Sequence, residues 1–273
     1  MPTRRSPLVD SSWGGPPVSL SCRNLYHTSG MDFDHPLQAA YELALESSGT
    51  LGGVAIGCGG RLIETRSFHG RMSHARELLP TIDSLCRDHK IDPPMISQVY
   101  VSMGPGSFTG LRIGIAVARM LAFGVGAKVV GVPTLEVIAQ NAAEVSDPPK
   151  KVAVILDAKR GRVYAATYIR RGSVYMPDAE PAEAHPGPFL AGQSPDCAVL
   201  GEGIAHYRRE IEASGLRVLP DEYHWPQAET VYRLGCRRAS RGEFHDPRTL
   251  IPVYIRPPEA EEKWRQQDSE PQP

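Results

Sequence analysis

The densest group of chemistry-bearing residues is the run Ser102-Met-Gly-Pro-Gly-Ser-Phe-Thr-Gly-Leu-Arg112. A buried strand ends, Gly104-Pro105-Gly106 turns the chain, and a helix opens near Ser107 or Thr109. The amides of Ser107, Phe108 and Thr109 then stand at a helix N-terminus, where they suit an anion or a phosphate. The Gly-Lys-Ser/Thr ending of a P-loop is absent. A glycine corner whose hydroxyls only cap the helix reads equally well. Gly104, Gly106, Ser107 and Thr109 are therefore candidate phosphate-binding residues, joined by Asp157 at the end of a later strand. A carboxylate there can orient a metal-bound water; capping of the Lys159-Arg160-Gly161 turn is the favoured reading. His69 and His74 straddle a loop and lack a third partner, which makes a weak metal signal. Five cysteines (22, 58, 86, 197, 236) contain no CxxC, the pattern of reduced thiols in a cytoplasmic protein. There is no GxSxG.

The elements that must carry these groups follow from periodicity. Strands are expected over 41–47, 53–58 and 61–68, joined as an antiparallel meander. A helix follows over 73–88, then a strand at 99–101, a helix over 109–123, a strand at 128–131 and a helix over 134–143 with Thr134 as N-cap. Pro80 is expected to kink the first helix or to define its start. After the break at 146–150 come a strand at 152–157, a hairpin over 162–175, a strand at 198–201, a helix over 204–213, a strand at 216–219, a helix over 228–240 and a last strand at 253–255. The organisation reads as an N-terminal extension without structure over 1–36, a first α/β lobe over 37–145, a smaller second lobe over 150–258 and a polar tail over 259–273.

The helix over 109–123 repeats Gly110, Gly114, Ala118 and Ala122 every four residues and is apolar nearly all round. On the preceding helix Leu78, Ile82 and Leu85 form one apolar face, with Ala75, Leu79 and Cys86 beside it. Such a pair has more apolar surface than one sheet can cover, which implies a helical docking face of roughly 1,600 Å² in total. Its anchors are Leu78, Ile82, Leu111 and Ile115, with Ala75 and Leu79 beside them in the interface and Arg112 or Arg119 at the rim.

The chain has 273 residues, with 30 basic and 31 acidic side chains and a net charge of −1; 41% is hydrophobic and 22% charged. This composition is that of a globular protein and excludes a collagen-like chain and a binder of nucleic acid by bulk charge. The longest apolar-rich stretch, 111–132, is broken by Arg112, Arg119 and Lys128, so no membrane partner is expected. Two groups of arginines, Arg160, Arg162, Arg170 and Arg171, and Arg233, Arg237, Arg238 and Arg241, could meet RNA but read better as solvated basic faces.

The run Gly104-Pro-Gly-Ser-Phe-Thr-Gly-Leu-Arg-Ile-Gly114 resembles the signature of the bacterial TsaB (YeaZ) family. So do His74-Ala-Arg-Glu-Leu-Leu-Pro80, Gly131-Val-Pro-Thr-Leu-Glu136, Leu156-Asp-Ala-Lys-Arg-Gly-Arg-Val-Tyr164 and Tyr254-Ile-Arg-Pro-Pro258. The resemblance runs over about residues 40–258. It implies an α/β fold of the actin/Hsp70/sugar-kinase (ASKHA) type, with two lobes of which the second is reduced. It also implies a non-catalytic subunit of the machinery that forms N6-threonylcarbamoyladenosine at position 37 of tRNAs reading codons that begin with A. The implied partners are a TsaD-like catalytic subunit, a TsaE-like ATPase, and tRNA through the complex. No cofactor of its own is expected; whether the chain pairs with itself when alone, and whether a nucleotide sits at the partner interface, the sequence leaves open. The family's first strand ends Asp-Thr-Ser-Thr, where this chain has Glu46-Ser47-Ser48-Gly49. The alternatives are a small-molecule kinase or ATPase of the same fold, using Glu46, Ser107 and Asp157, and a peptidase.

Overall fold

The computed structural model describes residues 40–69 and 74–255, which lie in one compact unit. The expected extension over 1–36 and the tail over 259–273 fall outside the described residues.

Five strands form the first sheet: β1 (Tyr41–Glu46), β2 (Leu51–Cys58), β3 (Arg61–His69), β4 (Ile96–Gly104) and β5 (Lys128–Pro133), in the order β3-β2-β1-β4-β5. The first three are antiparallel neighbours, as the meander predicted, and β4 and β5 add in parallel. Leu43, Ala44 and Leu45 are all fully buried, so β1 is covered on both faces.

The second sheet repeats this plan. Its strands are β6 (Lys151–Lys159), β7 (Arg162–Arg171), β8 (Val174–Pro177), β9 (Ala182–Ala184), β10 (Cys197–Leu200) and β11 (Arg217–Val218). The order is β11-β10-β6-β7-β8, with β9 also on β7. β6, β7 and β8 run antiparallel, whereas β10 and β11 join in parallel. The two sheets thus share one strand order and one pattern of directions, the duplicated two-lobe plan that the resemblance implied. The reduction of the second half is in its helices, not its strands.

Six α-helices cover the sheets: α1 (His74–Asp88), α2 (Phe108–Val125), α3 (Thr134–Asn141), α4 (Pro186–Ala191), α5 (Arg208–Ser214) and α6 (Ala228–Ala239), counted among the described residues. α1 runs on through Pro80. α2 starts where Ser107 Oγ accepts the Gly110 N–H and stops at Gly126, whose φ of 77° is the left-handed cap glycine favours. It is long and apolar enough to cross a membrane, yet Ile115, Val117, Ala118 and Ala122 belong to the core of the first sheet.

Two helices depart from the sequence reading. α3 precedes the break at 146–150, but Leu135, Ile138 and Ala139 pack with Val152, Val154 and Leu156 of β6. α6 comes late in the chain, but Val231, Tyr232 and Leu234 pack with Ala44, Ala55 and Tyr100 of the first sheet. The division at 146–150 therefore separates the sheets in sequence and not the cores in space. Three smaller corrections follow. Thr134 is the first helical residue, not the cap, and its Oγ1 accepts the Gly104 N–H at 3.1 Å. The stretch 204–213 is a 3₁₀ turn, Glu202–Ala205, followed by α5. Residues 253–255 form no strand; a backbone bond from Val253 N–H to Met103 O (2.8 Å) and side-chain contacts of Tyr254 hold the chain there.

Candidate functional site

Two features could do work: a cleft between the ends of β1 and β6, and a groove along α1 and α2.

The cleft encloses about 610 Å³ and is bordered by Ser48, Gly106, Ser107 and Phe108 on one side and by Asp157, Lys159, Glu202 and His206 on the other, with Tyr164 and Trp225. Of the candidate phosphate residues it brings together Gly106, Ser107 and Asp157; Gly104 and Thr109 are not part of its lining. The expected set of free amides is incomplete, because the Ser107 N–H donates to Ser48 O at 2.6 Å. The approach is close: a Cβ on Gly106 would stand 2.3 Å from that carbonyl oxygen. Ser48 in turn donates its N–H and its hydroxyl to Glu46 Oε1, both at 2.6 Å. The Ser48 and Ser107 amides of this corner are thus satisfied by the chain itself.

Glu46 is buried and does not line the cleft. Its burial pushes the carboxyl up to about 7, against the lowering effect of the Ser48 bonds. Asp157 faces the cleft in a different state. It accepts the Lys159 N–H at 3.0 Å, the Lys159 ammonium at 2.6 Å and the Tyr207 hydroxyl at 3.0 Å. Burial raises its carboxyl, but those three donors together outweigh burial and hold it below the usual carboxylate range. Asp157 is thus the turn cap that the sequence favoured. Glu202, which the sequence reading missed, also faces the cleft, and burial raises its carboxyl. Nothing in its local sequence marks it; the turn after β10 brings it there. No group of three metal-ligating side chains occurs among the described residues. His69 ends β3, and His74 opens α1.

The groove encloses about 550 Å³ and is lined by Leu79, Ile82, Cys86, Val117, Met120 and Leu121, with Asp83, Arg87 and Lys90 at its edge. Here the structure corrects the expected anchors. Leu78, Ile82, Leu111 and Ile115 are 1%, 8%, 0% and 4% exposed, so they hold their helices to the chain's own core. The apolar side chains that the two helices leave outside are Leu79 (47%), Met120 (51%) and Phe123 (61%). Periodicity could not separate the two sets, because a helix apolar all round offers no contrast between its faces. Ala75 is exposed and Arg119 is half-buried. Arg112 is engaged: its guanidinium lies 3.8 Å over the Phe108 ring and its Nε donates to the Tyr254 hydroxyl at 3.1 Å.

The α6 arginines are not a solvated face. Arg238 meets Glu136 of α3 at 2.5 Å and Glu243 at 3.2 Å, Arg233 meets Glu144 at 2.6 Å, and Arg237 and Arg241 sit 3.8 Å from Glu136 and Glu243. They tie α6 to α3. In the other group, Arg162 pairs with Glu183 at 3.7 Å.

Residues 70–264 match the family model described as TsaD, tRNA N6-adenosine threonylcarbamoyltransferase. The chain is 28% identical over 228 residues to the tRNA threonylcarbamoyladenosine biosynthesis protein TsaB of Bacillus subtilis, covering 81% of this chain and 96% of the relative. With the protein of the same name from Escherichia coli it shares 30% over 188 residues, 67% of this chain and 80% of the relative. The chain belongs to the TsaB family. A solved structure titled YeaZ from Pseudomonas aeruginosa superposes on this TsaB-family chain with a TM-score of 0.69 at 25% identity, covering 79% of this chain and 99% of the other. The five segments that resemble the family include the turns that end β4 and β6, the first of which opens α2.

Proposed function

We propose that this TsaB-family chain is a non-catalytic subunit of the tRNA threonylcarbamoyladenosine machinery, which docks a TsaD-like catalytic subunit and works with a TsaE-like ATPase. The observation that carries this reading is the unpartnered apolar face of two adjacent helices, Leu79 on α1 with Met120 and Phe123 on α2. Exposed apolar residues grouped beside a groove with a charged edge have the anatomy of a docking surface. The engagement of the Ser48 and Ser107 amides and of Asp157 within the chain supports the non-catalytic part. No disulfide joins the four described cysteines, which supports a cytoplasmic setting.

The test is reconstitution of tRNA modification from a TsaD-like subunit and a TsaE-like ATPase, with and without this chain. Modification that requires the chain, together with no turnover by the chain alone, is the expected outcome. The docking face is tested by Met120→Asp, which should weaken binding of the catalytic subunit by about 2 kcal/mol, roughly 30-fold. Unfolding should stay within ~0.5 kcal/mol of the original, because the side chain is exposed. Undiminished binding would remove Met120 from the interface. Ile82→Asp is the wrong probe, since it would place a carboxylate in the first core and report on folding.

A further inference from the structure

The outer edge of β5 is closed by a histidine that fits there only as the neutral ring. β5 is the last strand of the first sheet, so the groups on its far side have no strand to pair with. His245 takes that place. Its N–H donates to Val129 O at 2.8 Å in an antiparallel bridge, and its Nδ1 accepts the Gly131 N–H at 3.1 Å. A backbone amide can only donate, so Nδ1 carries no proton and the ring proton sits on Nε2. The approach is close, since a Cβ on Gly131 would stand 3.3 Å from Cε1 of the ring. An imidazolium has a proton on both nitrogens and would set one donor against another at Gly131. Protonation therefore breaks the bond and leaves an edge amide unpaired.

The charged neighbours of the ring do not reverse this preference. α6 brings Arg238, which repels a second cation, and the turn after it brings Glu243, which attracts one; the two are paired with each other at 3.2 Å. β4 brings the neutral Met103, packed over Gly131. β5 brings Lys128, whose Nζ lies 4.9 Å from the Phe244 ring, and the segment itself brings Asp246 and Arg248, bonded at 3.0 Å. Burial, with Arg238 adding to it, outweighs Glu243 and holds the ring below the usual histidine value. Past His245 the next buried residue is Leu250, 2% exposed in the first core. We infer that His245 is an acid-released latch: the neutral ring holds the stretch between α6 and Leu250 along β5, and a proton on Nδ1 frees that stretch and opens the edge of the sheet. The unfolded chain takes up this proton more readily than the folded one. The stability that the latch supplies is therefore present above the unfolded value and is lost as pH falls through the folded one. An open strand edge is a template for pairing with another chain, which gives the latch its importance. The inference concerns the chain's own packing and does not rest on the docking reading.

The experiment is hydrogen exchange by mass spectrometry on the full chain at several pH values from about 5 to 7.5, with rates corrected for the intrinsic pH dependence. Peptides covering 128–133 and 243–249 should exchange faster as pH falls, by about tenfold over the range, while a peptide covering β10 should not change. His245→Asn cannot ionise and offers Oδ1 in place of Nδ1, so it should keep the protection and remove the dependence. A flat profile in the original chain would overturn the inference, and so would an equal slope in His245→Asn. The nitrogen chemical shifts of the His245 ring give a second reading in the original chain if the asparagine variant does not fold. A neutral ring with its proton on Nε2 is expected at the top of the range, and a proton on Nδ1 there would also overturn the inference.

Discussion

The ends of β1 and β6 occupy equivalent places in the two repeated sheets and solve the same local problem in the same way. In each, a carboxylate accepts the backbone N–H two residues ahead: Ser48 to Glu46 at 2.6 Å, and Lys159 to Asp157 at 3.0 Å. The outcomes are opposite. Asp157 has an ammonium at 2.6 Å and a tyrosine hydroxyl at 3.0 Å, and its carboxyl is held low. Glu46 has only hydroxyls and amides around it, and burial raises its carboxyl to about 7. A turn motif therefore fixes where a carboxylate sits but not whether it is charged. That is decided by which chains pack across it: α2 through Gly114 at the first turn, α5's cap Tyr207 at the second.

The comparison is broken most severely at the glycines that follow or face these turns. Gly106→Ala should destabilise the chain by about 3 kcal/mol, because its Cβ would overlap the Ser48 carbonyl and part β1 from α2. Gly161→Ala meets no neighbour and carries only the strain of φ at 71°, about 1 kcal/mol. Urea unfolding of both variants measures the gap, and equal losses would mean that the Ser48–Gly106 contact does not clamp the first turn.

The next effect is electrostatic. Asp157→Asn should lose about 1–2 kcal/mol at pH 7, since it removes the charge from three hydrogen bonds. Because the folded carboxyl is held low, that stabilisation is present above the unfolded value and fades as pH falls through the folded one. The difference between Asp157→Asn and the original should thus close in acid. Unfolding curves at pH 7 and pH 3 check the sign.

The smallest effect sharpens the comparison. Lys159→Ala should cost only ~0.5 kcal/mol, because the lysine side chain is 77% exposed and its ion pair is screened. A loss beyond 2 kcal/mol in denaturant titration would make the ammonium, not the backbone and Tyr207 bonds, the main support of Asp157.

Much of the scaffold was legible in the sequence. Strand alternation placed β1 to β3 as a meander, and Ser107 read correctly as one end of α2, because cap and period are local signals. The Asp157 turn was legible for the same reason. The residues of the proposed docking face were legible only in part: Leu79 was among those expected there, Met120 and Phe123 were not. Leu78, Leu111 and Ile115 carry the same apolar character as Leu79 and Met120, and only packing on the sheet separates those buried from those left outside. The arginines of α6 were unreadable for a related reason: their partner Glu136 lies about a hundred residues away, on a helix that the sequence order assigns to the other half.

Local sequence, then, determined most of the strands and helices and the turns that carry Glu46 and Asp157, since each depends on residues within a few positions of one another. Tertiary structure decided which core α3 and α6 complete, which apolar side chains remain on the surface, and which of two similar carboxyls burial pushes up and which a cation holds low. Burial and charge pairing are properties of neighbours brought together from distant parts of the chain, and no local pattern encodes them.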